Sequence, residues 1–245
     1  MLRTLSRRKQ RCLFCAASLL LIVTAHSQQT DGTIWLNDSA LAREYALYRS
    51  NIGGASRLYN GPEYTAAYPG TSGTPFFGPG FFVNGSVSYN GIHYYDVPIA
   101  FDLVSNQVVI KGYQGLSMQL RTENVDSFLI TGHSFVKLNA DARANIAEGF
   151  YEVVYLPSIA VYIKRTRQVA RSFNAEDPLR FLSYDYFFIR SDSYYAVDGK
   201  KSLLHLFHDQ SGALKKFWKS KHIDFKNEKE AAILNTVRFY VNNKS

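Results

Sequence analysis

Between residues 85 and 199 apolar and polar positions alternate with a period of two, broken by short polar turns, the pattern of half-buried antiparallel strands. "GSVSY" and "IHYY" flank Asn90-Gly91, a pair that tolerates positive φ at both positions and predicts a two-residue hairpin. Val87 and Tyr89 fall on one face of the first strand, Ser86 and Ser88 on the other. A further strand, "VPIAF", and a return, "QVVIKG", follow around the polar turn "DLVSN"; Pro98 lacks an N–H, which predicts an edge or a bulge. Leu116, Met118 and Leu120 then alternate with Ser117, Gln119 and Arg121. "SFLITG" and "SFVKL" bracket Gly132-His133, and "FYEVVYLPSIAVYIKR" makes two strands about Leu156-Pro157-Ser158, with Ile159, Val161 and Ile163 on one face. "SYDYFFIRSDSYYAVDGKK" supplies another pair. The fold read from this pattern is mainly β, an antiparallel meander of eight or so strands forming a strongly curved sheet or barrel-like body.

A period of 3.6 brackets the strands. "NDSALAREYALYRS" sets Leu41, Tyr45 and Tyr48 on one helix face behind the capping residues Asn37 to Ser39. After the strands, Ser202 is placed to cap "LLHLFHD", and "ALKKFWKS" sets Leu214, Phe217 and Trp218 opposite Lys215, Lys216 and Lys219. Asn227 with Glu230 has the spacing of a capping box before "AAILNTVRFYV", whose apolar stripe is Ile233, Val237, Tyr240 and Val241. Residues 28–84 thus carry an N-terminal helix and a Gly/Pro/aromatic loop, 85–199 the β body and 200–245 a basic helical tail. These apolar stripes need cover, so one compact domain is expected, with the tail docked on it.

Residues 1–27 have a different character. Arg3, Arg7, Arg8, Lys9 and Arg11 precede the apolar run "CLFCAASLLLIVTA", with small residues Ala25 and Ser27 at the −3 and −1 positions of a cut before Gln28. This is the layout of a signal peptide, and it predicts an exported protein, periplasmic or secreted. Cleavage removes Cys12 and Cys15, the only cysteines, so the mature chain of 218 residues has no disulfide, no thiol nucleophile and no Cys-ligated zinc. It also removes five of the 28 basic residues, leaving 23 against 20 acids. Nucleic acid is therefore not an expected partner. No later apolar run has the ~18–20 residues of a spanning helix. The remaining charge is uneven: from Lys200 onward ten Lys and Arg face four Asp and Glu.

The succession "LYNGPEY", "TPFF", "GSVSYNGIHYYDVPIAFDL" and "ENVDSFLI", with a "KKSLLHLF…LKKFWK" tail, resembles an uncharacterised family of exported proteins from Bacteroidetes-type bacteria. The resemblance covers nearly the whole mature chain. It implies export and a sheet-plus-helices architecture, and carries over no catalytic or ligand residue.

Candidate chemistry is sparse. His205, His208 and Asp209 in "HLFHD" have i, i+3 spacing rather than the i, i+4 of HExxH, and the Glu base is missing. Leu203, Leu204 and Phe207 point inward on this reading, leaving the histidines at the rim. His93 and Tyr95 share a strand face, but alternation puts Asp96 opposite them, and Asp102 completes no set. No GxSxG stands between a strand and a helix. Paired glycosidase carboxylates are spatial and leave no spacing signature; Glu63 beside Tyr59 and Tyr64 keeps that option open. "KRTRQVAR", with Lys164, Arg165, Arg167 and Arg171, reads as a solvated strand end or a contact for anionic lipid.

Two binding regions remain. In loop 59–82, Tyr59, Tyr64, Tyr68, Phe76, Phe77, Phe81 and Phe82 either stack on a ligand, with Tyr59, Tyr64, Phe76 and Phe77 as contacts, or cap an open sheet end. In the tail, Lys215, Lys216, Lys219 and Lys221 form either an anionic-surface contact or a solubilising face. The expected function is non-catalytic binding of an apolar or lipid-like ligand in the curved sheet. The alternatives are a protein- or glycan-binding module acting through loop 59–82 and, after that, a hydrolase with an unrecognised site. No metal or cofactor is expected; lipid, glycan or an envelope protein are the partner classes.

Overall fold

The turn at Asn90-Gly91 starts the sheet. Both residues take positive φ, 54° and 71°, so the chain reverses in two residues between β2 (Val83–Tyr89) and β3 (Ile92–Asp102). "IHYY" and "VPIAF", read from sequence as separate strands, form this one strand of 11 residues. Asp96 has φ 50° and the β2–β3 register shifts between Gly85 and Val87; such a bulge breaks the alternation without ending the strand. Pro98 lies one residue before pairing with β4 (Gln107–Lys111) begins at Ile99, so the β3–β4 ladder asks no N–H of it.

The computed structural model describes residues 57–65, 67–112, 115–172 and 179–244, all within one compact unit, Asp38–Ser245. The signal segment, both cysteines and the helix expected over 37–50 lie outside the described residues. The remaining strands are β1 (Thr71–Ser72), β5 (Ser117–Gln119), β6 (Val125–Ile130), β7 (His133–Leu138), β8 (Gly149–Tyr155), β9 (Ala160–Arg171), β10 (Leu179–Arg190) and β11 (Tyr194–Val197). They form one 11-stranded sheet in the order β1-β10-β9-β8-β7-β6-β2-β3-β4-β5, with β11 beside β10. The turn expected at Gly132-His133 falls one residue earlier, where Thr131 and Gly132 carry the positive φ, 50° and 80°.

Two expectations need correction. The sheet is mixed rather than a pure antiparallel meander, because β1 runs parallel to the edge of β10. Nor does the sheet close into a barrel: its path ends at β1 and β5. Side chains four strand positions apart nevertheless meet. The Phe101 ring on β3 lies 5.9 Å from Phe150 on β8, and 5.0 and 5.2 Å from Phe128 on β6 and Phe135 on β7. All four rings are inaccessible to solvent and anchor a first core with Val87, Ile99, Val108 and Ile110.

A second core is built by three helices, α1 (Lys200–Leu206), α2 (Ser211–Ser220) and α3 (Lys229–Asn242). Leu203, Phe207, Leu214, Trp218, Ile233, Val237, Tyr240 and Val241 pack against Val161, Ile163, Phe187 and Ile189 of β9 and β10. The apolar stripes read from sequence are those that pack. The caps differ. Ser202 is the third residue of α1, its Oγ accepting from the Asp198 and Gly199 N–H at 3.0 and 3.1 Å. Asn227 and Glu230 form no capping box: Asn227 donates into a turn on Asp224, and Glu230 is taken by an arginine of the sheet. Among the described residues no helix is long and apolar enough to cross a membrane.

Because paired residues share a face, the opposite face of β8–β11 carries Tyr151, Val153, Tyr162 and Phe188, a third and smaller core covered by Ile146.

Candidate functional site

Loop 59–82 is tied into the protein at nearly every aromatic residue. Segment 62–64 exchanges backbone bonds with β5, Thr71 and Ser72 lie on β10, and Phe77 N–H donates to Phe101 O at 2.8 Å. Tyr64 and Tyr68 both donate their phenol protons to Asp102 Oδ2, at 2.9 and 3.1 Å. The other Asp102 oxygen accepts from the Val104 and Ser105 N–H at 2.8 and 3.2 Å. Burial, and then the charge of Asp102, push the Tyr64 phenol up. Phe76 lies 5.8 Å from the Tyr64 ring, Phe77 sits edge-on to His133 and Phe135 at 5.1 Å each, and Tyr59 leans on the first core. Of the four residues expected to contact a ligand, Tyr64, Phe76 and Phe77 thus spend ring faces or hydroxyls inside the chain. Phe81, 79% exposed, is the loop's free ring.

"KRTRQVAR" corrects the sequence reading most. A strand end was expected to be solvated; instead Arg165, with a side chain only 10% exposed, is the hub of a charge cluster on the face shared by the two large cores. Its guanidinium donates to Glu230 Oε2 and Oε1 at 2.6 and 2.8 Å, to Asp185 Oδ2 at 3.0 Å and to Glu152 Oε2 at 2.7 Å. The second Glu152 oxygen lies 2.6 Å from His133 Nδ1. Burial works against the Arg165 charge, but Glu230, Glu152 and Asp185 outweigh it and hold the guanidinium above its ordinary value. Lys164, on the other face, donates to Asn106 Oδ1 at 3.0 Å and stands 4.7 Å over the Tyr151 ring; burial brings its amine down to about 8. Arg167 donates to the Phe76 and Thr74 carbonyls, and its N–H to Leu103 O at 3.1 Å. Alternation and charge in the sequence were uninformative here, because the partners come from β8, β10 and α3. A like-signed run at a strand end is legible; the elements that fold over it are not.

The tail keeps its lysines outside. Lys215, Lys216, Lys219 and Lys221 are all exposed, while Leu214 and Trp218 on the same helix are buried. Between α2 and α3 lies a groove of ≈ 510 Å³, floored by Phe217, Phe239 and Ile223 and rimmed by Lys221 and Arg238. The Phe217 and Phe239 rings stack on each other at 4.3 Å. A larger space of ≈ 610 Å³ lies between β10 and the start of α3; of its charged walls, Asp185 and Glu230 hold Arg165 and Lys229 covers the Phe187 ring. His205 and His208 are exposed, and His93 lies against Tyr95 at 4.5 Å between ring centres. Among the described residues no three His, Cys, Asp or Glu side chains are grouped to hold a metal ion.

No protein-family model, no curated protein and no solved structure matches the chain.

Proposed function

We propose that the protein is an exported, non-catalytic envelope protein that binds lipid-like molecules at an anionic membrane surface. The groove between α2 and α3 carries this reading. Its floor is three apolar side chains and its rim, Lys221 and Arg238, is cationic; Lys215, Lys216 and Lys219 lie elsewhere on the exposed surface of α2 and add to the positive field around it. An anionic amphiphile satisfies both parts: the acyl portion replaces water on Phe217, Phe239 and Ile223, and the headgroup meets the ammonium and guanidinium groups. The site moves from the sheet, where the sequence put it, to the helices. The sheet bends strongly about Phe101, Phe128, Phe135 and Phe150, on this reading, and those rings fill the concavity in which a ligand would otherwise lie. Binding rather than catalysis is favoured because the candidate acid–base groups are occupied, Asp102 by four donors and Glu152 between His133 and Arg165. Export rests on the n-region, the apolar run and Ala25/Ser27.

Co-sedimentation with vesicles of phosphatidylcholine and phosphatidylglycerol tests the proposal. The mature protein is expected to bind at low salt and to release as sodium chloride shortens the ~8 Å physiological Debye length further. Replacing Lys215, Lys216, Lys219 and Lys221 with glutamine should abolish that binding and leave the melting temperature nearly unchanged. Equal binding by the two proteins overturns it.

A further inference from the structure

The sheet face opposite the helices contains a row set by register alone. Tyr155 on β8 pairs with Ala160 on β9, Ala160 with Arg190 on β10, and Arg190 with Tyr194 on β11. Directly paired residues share a face and neighbouring strands are ~4.8 Å apart, so Tyr155 and Arg190 stand roughly 10 Å apart with only the Ala160 methyl between them. Tyr162, two residues along β9, is on that face too, its ring 5.3 Å from Tyr194. The Arg190 guanidinium carbon lies 5.4 Å from the centre of the Tyr194 ring. The result is a pit over the Ala160 methyl, flanked by Tyr155, Arg190 and Tyr194, with the Tyr162 ring buried at its edge.

Its chemistry is lopsided toward donors. A guanidinium offers five N–H groups and accepts nothing, and a phenol whose oxygen is engaged by it still has a proton to give. None of the five ion pairs among the described residues includes Arg190. Asp192, two residues away, spends its oxygens on the Ser191 and Tyr195 hydroxyls. The Tyr162 phenol first, and then Tyr194, hold the guanidinium above its ordinary value, while burial pushes the Tyr155 and Tyr194 phenols up, so the guanidinium and these two phenols keep their protons in neutral water. At the open side of the pit Tyr155 is 66% exposed, presenting a ring face to solvent. A cation without a carboxylate partner, phenolic donors and one free aromatic plate are the complement of an oxyanion attached to a flat-faced, hydroxylated ring.

We propose that this pit binds an acidic saccharide, the carboxylate of a uronic acid seated on Arg190 and the sugar's C–H face stacked on Tyr155. A lipid headgroup fits less well, since this face lies across the sheet from the α2–α3 groove. The site is independent of the lipid reading: it uses none of the tail lysines.

Isothermal titration of the mature protein with trigalacturonate, trimannuronate and maltotriose tests it, with sodium acetate and an acidic tripeptide as controls. The acidic trisaccharides, one or both, should bind measurably and maltotriose at least tenfold more weakly. Arg190→Gln and Tyr155→Ala should each weaken that binding tenfold or more, and Arg190→Lys less. Melting curves check that the variants fold; should Arg190→Gln fail to fold, Tyr155→Ala and quenching of tyrosine fluorescence by the sugar in the unaltered protein still decide. Absence of binding by both acidic trisaccharides, unchanged affinity in Tyr155→Ala or Arg190→Gln, or acetate or tripeptide binding as tightly as the sugars would each overturn the proposal.

Discussion

The two large cores lie along one sheet and are built in opposite ways. The first, under β2–β4 and β6–β8, is closed by the sheet's own side chains, with Phe101, Phe128, Phe135 and Phe150 in mutual contact at 4.8 to 5.9 Å. The second, on β9 and β10, is closed by α1–α3. Strand β8 belongs to both: Phe150 points into the first core, Val154 packs on the second, and Glu152 lies between them on the same face. The face is continuous in geometry and divided in chemistry. At the junction a five-residue charge cluster stands between the two cores, the Arg165 hub drawing carboxylates from two strands and from the first turn of α3. A charge can sit at such a seam only when its partners arrive from both sides, which makes the cluster a test of correct docking.

The sharpest way to break the comparison is to empty one core and watch the other. Phe128 has no exposure and contacts three rings, so Phe128→Ala should cost about 3–5 kcal/mol. Trp218 reports the second core, where its indole N–H donates to Thr236 at 2.8 Å. With Trp35 replaced by Phe, the fluorescence transition of Trp218 and the far-ultraviolet dichroism transition should fall together in the variant if the cores unfold as a unit. Two separated transitions would show that β8 joins two independently cooperative halves.

The seam comes next. Arg165→Met leaves the Glu152 carboxylate buried without its guanidinium, and about 2–4 kcal/mol of destabilisation is expected by urea unfolding. Adding Glu152→Gln should recover part of this, because the stranded charge is gone. Glu230 gives the pH dependence. Its hydrogen bond to Arg165 holds its carboxyl below the ordinary 4.5 despite burial. A depressed carboxylate stabilises the fold above its unfolded value and loses that contribution as pH falls through the folded one, so this part of the stability disappears below pH 4.5. Glu230→Gln should flatten the acid limb of the stability curve, and an unchanged limb would place the acid sensitivity elsewhere.

These seams explain what the sequence did and did not disclose. Period-two runs located most strands, and the 203–207, 214–218 and 233–241 stripes located the helices, because each depends on which residues face a core and not on which core. Asn90-Gly91 disclosed its hairpin through backbone conformation alone. Asp96 was opaque, since a bulge is visible only against the partner strand. The single β1–β10 parallel contact, the Arg165 cluster and the Tyr155–Arg190 row all depend on strands being brought side by side by register; Tyr155 and Tyr194 are 39 residues apart in the chain. Glu230 shows the limit from the other direction: its spacing from Asn227 fits a cap, yet a bidentate guanidinium is the stronger partner.

The mildest test concerns the other stitch between the halves, on the face away from the helices. Asn106, in the β3–β4 turn, accepts through Oδ1 from Phe150 N–H at 3.3 Å and from Lys164 Nζ at 3.0 Å. Gly149 makes room for this: its φ is +140°, and an added Cβ would meet Lys164 Nζ and, at 2.6 Å, Asn106 Nδ2. Both obstacles are side-chain ends that can swing away, so Gly149→Ala should cost only about 1–2 kcal/mol at pH 7, mostly backbone strain. The informative readout is alkaline. With its folded value near 8 against an ordinary 10.5, Lys164 binds its proton less tightly in the folded state, so stability rises as pH climbs from 8 toward 10.5, by something on the order of 2 kcal/mol. Gly149→Ala pushes the amine out to water and should remove that rise. Denaturant midpoints at pH 7.5 and 9.5 measure it: a steeper gain in the unaltered protein than in the variant ties Lys164 to the seam. Parallel curves would mean that the amine keeps its buried place and that the stitch tolerates the methyl group.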